Sequence, residues 1–258
     1  MFGLIFDIDG TITKIPGVES PIDPFVIGKI SEIYNHGNKI AFVTGRAGWY
    51  IEENLLPLLM KFGLYDKVFV SAERGVYRVE NGKVSIDSSL IKEFTPYRSL
   101  IKEEVINVAK ERGIPVKSEE LKKVPETGEV WFEDKQSTLE VRSNHFNKNN
   151  LATENSVYEL ARIAMERLGR THDFSSFDIL KTSLSATVKL KSLNKYNVAK
   201  QIVEILDPEN MLEKWYVFGD SVDDKTMADV NPEKMVFFDV HGKASAGVLE
   251  KLNELFAF

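Results

Sequence analysis

Asp7 and Asp9 stand two residues apart at the end of a short apolar run, FGLIF at residues 2–6, and Gly10 follows. An apolar run of that length, closed by a Gly turn, predicts a buried strand that delivers its last residues to a loop. In an open parallel sheet, ligands bind at such loops. Two carboxylates there repel one another and are costly to bury, so a cation is expected beside them, a divalent metal first. A plain Asp-Gly turn accounts for the pair equally well on its own. Two other apolar runs also close in polar clusters: KIAFV in Thr44-Gly45-Arg46, and KWYVF in Gly219-Asp220-Ser221, with Asp223 and Asp224 just beyond. Neighbouring strands of one sheet would bring these ends together. Several carboxylates and a hydroxyl, with no His or Cys cluster, suit a hard cation with oxygen ligands, Mg²⁺ rather than Zn²⁺. Mg²⁺ held by a few carboxylates, with positions open to phosphate oxygens, is the usual setting of phosphoryl transfer. One carboxylate can then attack phosphorus and carry an aspartyl-phosphate.

The elements that must position these groups follow from periodicity. A helix is predicted over residues 24–35, stopped at His36-Gly37, then a strand over 39–43 and a helix over 49–62 with a kink or break at Pro57. A strand follows at 67–71. This alternation predicts right-handed crossovers and a parallel sheet. The rhythm then changes. Residues 75–86 read as a hairpin around Asn81-Gly82, followed by a helix over 97–112 and a polar loop over 118–128. Short strands at 130–133 and 138–142, a helix at 150–168 and strands at 177–180 and 185–190 complete an antiparallel α+β pattern. The first rhythm returns with a helix at 196–206, strands at 214–218 and 235–238, and a terminal helix at 245–256. The expected fold is α/β: a Rossmann-like parallel-sheet core, residues 1–80 and 188–258, with an inserted α+β cap over 81–187.

Composition narrows the function classes. The 258 residues are 43% hydrophobic and 28% charged, ordinary for a globular chain. A net charge of -6 argues against a nucleic-acid surface. No apolar run approaches the roughly 20 residues of a membrane span. The absence of Cys fits a reducing compartment, so a cytoplasmic protein without nucleic-acid or membrane partners is expected.

Four stretches in order, Asp7-Ile8-Asp9-Gly10-Thr11, Val43-Thr44-Gly45-Arg46, Asn194-Lys195 and Gly219-Asp220-Ser221-Val222-Asp223-Asp224, resemble the motifs of the haloacid dehalogenase superfamily. The resemblance implies a phosphatase with Asp7 as nucleophile and Asp9 as general acid and base. Thr44 and Gly45 would bind the phosphoryl oxygens, and Lys195 would neutralise charge on them. Mg²⁺ would be held by Asp7, the backbone carbonyl of Asp9, and Asp220, with Asp224 holding a metal-bound water or orienting Lys195. Asp9, where family ATPases carry Thr, favours a phosphatase or phosphomutase. Arg46 is a further candidate for phosphate, and the family often has Asn in place of Asp223. The insertion between the second and third motifs corresponds to the family's large α/β cap. Its Val130-Trp-Phe-Glu-Asp-Lys135 and Ser137-Thr-Leu-Glu-Val-Arg142 resemble the caps of sugar-phosphate phosphatases and eukaryotic-type phosphomannomutases. Glu133, Lys135, Arg142 and His145 become candidates for sugar-hydroxyl or second-anion contacts, against the alternative of a solvent-facing sheet surface. Trp131 reads as cap core. The implied partner is a small phosphorylated metabolite. A phosphohexomutase using the same nucleophile, and a non-catalytic regulator on this fold, are the competing readings.

Overall fold

The computed structural model describes residues 1–15, 20–125, 130–143, 154–182 and 185–256. They form two compact units, Met1–Asp87 with Asn194–Phe258, and Ser88–Leu193. The first unit opens with β1 (Phe2–Phe6), α1 (Pro24–Asn35), β2 (Lys39–Val43), α2 (Gly48–Tyr50), a π-helical turn at Ile51–Leu55, α3 (Leu56–Lys61) and β3 (Phe69–Ala72). The hairpin β4 (Tyr77–Glu80) and β5 (Lys83–Ile86) follows. The second unit holds α4 (Ser88–Glu111), β6 (Val116–Leu121), β7 (Val130–Glu133), β8 (Leu139–Ser143), α5 (Glu154–Leu168), β9 (Phe177–Lys181) and β10 (Ser185–Leu190). The first unit then resumes with α6 (Lys195–Leu206), β11 (Lys214–Gly219), α7 (Val222–Lys225), β12 (Met235–Asp239) and α8 (Ser245–Leu255).

The first unit is a seven-stranded sheet in the order β12-β11-β1-β2-β3-β4-β5. Pairing is parallel from β12 through β3, and antiparallel from β3 to β4 and β4 to β5. β1 lies between β11 and β2, and helices pack on both its faces, which is why it reads as an unbroken apolar run. Leu4 and Phe6 join one cluster with Val26, Ile30, Val248 and Leu252 of α1 and α8. Ile5 joins the opposite cluster with Val198 and Ile202 of α6. α1 begins where expected: Asp23 caps it by accepting a bond from the Phe25 N–H at 3.0 Å, with Pro24 in the first turn, where a missing N–H costs nothing. The second unit is a five-stranded sheet in the order β6-β7-β8-β10-β9.

Several expectations change. The hairpin belongs to the first unit, because β4 pairs with β3 (Val70 opposite Val79) and Val79 is buried in the core. The inserted unit therefore begins at Ser88 rather than residue 81. It ends at Leu193 rather than 187, because all of β10 pairs within the second sheet. Pro57 does not break its helix, and the irregularity expected there is a π-helical turn. This wider turn precedes Pro57, and in it the Leu56 N–H bonds the Ile51 carbonyl five residues back, which accommodates the missing Pro57 donor. α4 likewise starts nine residues before Tyr97 and carries Pro96 inside it. Residues 116–121, of which 118–121 are expected in a polar loop, form β6, an edge strand parallel to β7. Among the described residues no helix is long and apolar enough to cross a membrane.

Candidate active site

The carboxyl ends of β1, β2 and β11 converge, since these strands are parallel neighbours. Asp7 follows β1 directly and its N–H bonds the Phe218 carbonyl of β11 at 2.9 Å. Gly10 turns the chain with φ +69°. A Cβ there would lie 2.0 Å from Asp220 Oδ2, so the residue must be glycine both for its conformation and for the close approach of that carboxylate. Thr44 follows β2, and its N–H bonds the Ser71 carbonyl. Its buried hydroxyl accepts from the Arg46 N–H at 3.0 Å, which leaves its proton to donate to a ligand. Lys195 opens α6 behind the cap Asn194, whose side chain accepts from the Asn197 N–H at 2.8 Å.

Lys195 Nζ donates to Asp7 Oδ1 at 2.6 Å and to Asp224 Oδ1. All three side chains are buried. Asp224 Oδ2 accepts from the N–H groups of Asp220 (3.1 Å) and Ser221 (3.0 Å) and from the Ser221 hydroxyl (2.6 Å). Asp224 is thus committed to donors of its own chain, and it holds Lys195. Gly219 permits this, since a Cβ there would lie 2.2 Å from the Asp224 Cβ. The Asp9 carboxylate does not join this group. Arg46 grips it, Nε at 2.9 Å from Oδ2 and Nη2 at 2.8 Å from Oδ1, and the same guanidinium lies 4.6 Å from the centre of the Tyr50 ring. Arg46 therefore orients Asp9 instead of standing free as a phosphate ligand. Asp223 pairs with Arg74 at 2.7 Å.

Burial and the neighbouring Asp224 push Asp7 well above the usual carboxylate range, and Lys195 opposes this only in part. Burial works against charge on Lys195, but Asp224 and Asp7 outweigh it and raise the group above an ordinary lysine. Burial, then Asp224, pushes Asp220 up to about 6. Asp7, Asp220 and Asp224 each offer an oxygen within 4.8 Å of the others. The carboxylates of Asp7, Asp9, Asp220, Asp223 and Asp224 outnumber the cations Arg46, Arg74 and Lys195. An all-oxygen donor set with excess negative charge fits a divalent metal. Asp7 and Asp220 are the side chains suited to hold it, because Asp224 is already satisfied by four donors.

In the second unit Glu133, Lys135 and Arg142 are all buried rather than solvent-facing. Arg142 Nη1 donates to Glu133 Oε2 at 2.6 Å, and Lys135 donates to Glu140. Glu133 stands opposite Glu140, and Trp131 opposite Arg142, across β7 and β8. Trp131 is core, as expected, with the Arg142 guanidinium 5.1 Å from its ring centre. The Trp131 indole N–H, Glu133 Oε1, Arg142 Nε and the Thr138 hydroxyl are buried without a hydrogen-bond partner. His145 lies outside the described residues. Sequence reasoning missed Glu140, although it alternates with Arg142 along one strand and so shares its face. It also missed Arg74, for which no motif offers a signal.

A family model described as haloacid dehalogenase-like hydrolase matches residues 4–230. No curated protein matches the chain by sequence. Among solved structures, the C-terminal domain of trehalose-6-phosphate phosphatase from C. albicans superposes with a TM-score of 0.66 at 16% identity, covering 98% of this chain and 91% of that one. Trehalose-6-phosphate phosphatase from Aspergillus fumigatus gives 0.55 at 16% identity, covering 98% and 92%. IMP-nucleotidase from Plasmodium falciparum, in an IMP-bound mutant, gives 0.62 at 14% identity, covering 100% and 69%. These likenesses are of fold. With the family match spanning most of its length, the chain belongs to the haloacid dehalogenase-like hydrolases.

Proposed function

We propose that the protein is a Mg²⁺-dependent phosphomonoester hydrolase acting on a small sugar phosphate through an aspartyl-phosphate on Asp7. The observation that carries this reading is the buried Asp7–Lys195–Asp224 chain beside Asp220. It supports the reading by setting the Asp7 carboxylate beside a fixed ammonium at a strand end, where a nucleophile is needed. Bound Mg²⁺ would supply charge neutralisation between Asp7, Asp220 and the phosphoryl oxygens. The Thr44 hydroxyl and Lys195 ammonium donate to the phosphoryl oxygens where negative charge builds up. An Asp7 oxygen bonds phosphorus as the ester P–O bond breaks, and Asp9, entering in its protonated form with one oxygen still held by Arg46, gives its proton to the leaving oxygen. Asp9 then takes a proton from water as that water attacks phosphorus, which frees phosphate and regenerates Asp7.

The sugar is favoured by the second unit's chemistry. Its unpartnered atoms include a donor (Arg142) and an acceptor (Glu133), and Glu133, Glu140, Lys135 and Arg142 balance in charge. Such a mixed, neutral set suits hydroxyls, which both donate and accept. The trehalose-6-phosphate phosphatases among the structural neighbours lend support, while IMP-nucleotidase keeps nucleotides in the comparison. The test is phosphate release from hexose, disaccharide and nucleoside monophosphates. Sugar phosphates should turn over faster, a chelator should stop the reaction, and Asp7→Asn should abolish it. Turnover that survives chelation or Asp7→Asn would overturn the proposal. Isomer interconversion dependent on a bisphosphate, in place of phosphate release, would make the protein a mutase.

A further inference from the structure

Glu73, Arg74 and Gly75 have successive φ values of 47°, 56° and 107°. Only the last is a glycine. A non-glycine residue in this left-handed region costs roughly 1–2 kcal/mol, and strain of this kind persists where the surroundings impose it. Here they do. The Glu73 N–H bonds the Arg46 carbonyl at 2.9 Å and the Arg74 N–H bonds the Thr44 carbonyl at 3.3 Å. The Glu73 carboxylate accepts from the Gly48 N–H at 3.3 Å. The strained turn therefore holds the loop that carries Thr44 and Gly45 through three hydrogen bonds. The buried Arg74 side chain reaches the other way. Its Nη1 pairs with Asp223 Oδ2 at 2.7 Å, and its guanidinium covers Gly45, where a Cβ would sit 3.6 Å from Nη2. Asp223 adjoins Asp224, which holds Lys195.

We propose that Arg74 is a positioning residue. Through its main chain and its ion pair with Asp223 it fixes the Thr44–Gly45 loop against the Asp223–Asp224 turn. It thereby sets the Thr44 hydroxyl relative to the Lys195 ammonium. The guanidinium faces Asp223 and Gly45, so it acts through them. This inference rests on the reading of the site as a phosphoryl-transfer centre. It also explains why Asp stands at 223: an Asn there would give Arg74 no charged partner.

The experiment compares Arg74→Met, Arg74→Lys, Asp223→Asn and the double variant Arg74→Met/Asp223→Asn with wild type, with Mg²⁺ present. It records kcat and KM on an aryl phosphate and a hexose phosphate, and the melting temperature of each. Small misplacements of catalytic groups cost up to about 100-fold. Arg74→Met should lose roughly 10- to 100-fold in kcat with KM changed by less than about threefold, and Arg74→Lys should recover only part of that. Asp223→Asn, which keeps the side-chain shape, should lose several-fold, and the double variant should be no worse than Arg74→Met. Full kcat with a lowered melting temperature would reduce the pair to a structural staple and overturn the inference, as would losses that multiply in the double variant. If Arg74→Met does not fold, Asp223→Asn decides alone, and full kcat in it overturns the inference. A wild type that releases phosphate from no ester overturns both this inference and the proposed function, whereas active wild type with unchanged variants overturns this inference only.

Discussion

Replacing Lys195 with Met removes the one cation that touches both Asp7 and Asp224 among the described residues. Met is one atom shorter but keeps an unbranched apolar stem, so the change is mainly one of charge. Both carboxylates are buried, and Asp224 stays fixed by its backbone and Ser221 donors. Breaking a buried ion pair by removing one partner costs about 3–5 kcal/mol, because the remaining charge stays buried without its counterion. For a chain of this size each kcal/mol moves the melting temperature by about 2–4 °C, so a drop on the order of 10 °C is expected at pH 7.5. The pH dependence carries a sharper signature. Asp7 is already raised above the usual carboxylate range, so the folded protein binds a proton there more readily than the unfolded chain. Without Lys195 that tendency grows. Lowering the pH from 7.5 toward 5 should therefore restore stability to the variant, as protonation removes the uncompensated charge. Lys195 is itself raised in the wild type, so its contribution is fully present below the ordinary lysine range and is lost only at higher pH. Turnover of an aryl phosphate should fall about 10²–10³-fold, the usual cost of losing one preorganised charge at a reacting centre. Thermal melts of metal-free protein at pH 5, 6 and 7.5, with phosphate release measured in Mg²⁺, test both effects. A melting temperature within 2 °C of wild type at pH 7.5 would show that Lys195 is not the counterion, and wild-type turnover that it is not the phosphoryl ligand.

Two further outcomes follow from the remaining geometry. Asp9→Ala should slow hydrolysis of an alkyl or sugar phosphate far more than that of a nitrophenyl ester, whose leaving oxygen needs no proton; equal losses would remove Asp9 from the acid role. In the second unit burial alone would raise Glu140, but Lys135 and then Arg142 outweigh it and hold it down at about 2. A depressed carboxylate stabilises the fold above its unfolded value and loses that contribution as pH falls, here between about 4.5 and about 2, on the order of 3 kcal/mol in all. Glu140→Gln should flatten the decline of urea midpoints between pH 5.5 and 3, and parallel declines in both proteins would contradict the assignment.

The readable parts of this chain were those where residue type and period coincide. β1, β2 and β11 announce themselves as apolar runs that end in polar residues, and parallel pairing then brings Asp7, Thr44 and Asp220 together. Asn194 before an apolar helix placed Lys195 for the same local reason. What was not readable depends on partners far along the chain. The membership of the β4–β5 hairpin is decided by pairing with β3, which the Asn81-Gly82 turn cannot specify. Pro57 and Pro96 suggest helix boundaries locally, yet a π-helical turn accommodates one and α4 runs through the other. The Arg46–Asp9 and Arg74–Asp223 pairs join residues 37 and 149 positions apart. Nothing in the run Ala72-Glu73-Arg74-Gly75 signals a left-handed turn at two non-glycine residues.

The central place of β1 has a consequence for how the protein is made. A ribosome releases Asp7 and its strand well before the neighbour on one side, β11, and the residues Lys195, Asp220 and Asp224, which are encoded more than 180 positions later. In between comes the whole of the second unit, Ser88–Leu193. A nascent chain therefore carries β1 with one open edge, and Asp7 without Lys195, until those later residues emerge. The inserted unit can fold as a continuous segment during that interval, while the sheet that bears the nucleophile must wait. Truncation anywhere before β11 would leave β1, four of whose five residues are buried in the complete sheet, paired along one edge only, and would remove Asp220 and Asp224 from the site. Expression conditions that slow elongation lengthen the exposure of that strand, and with it the window for aggregation.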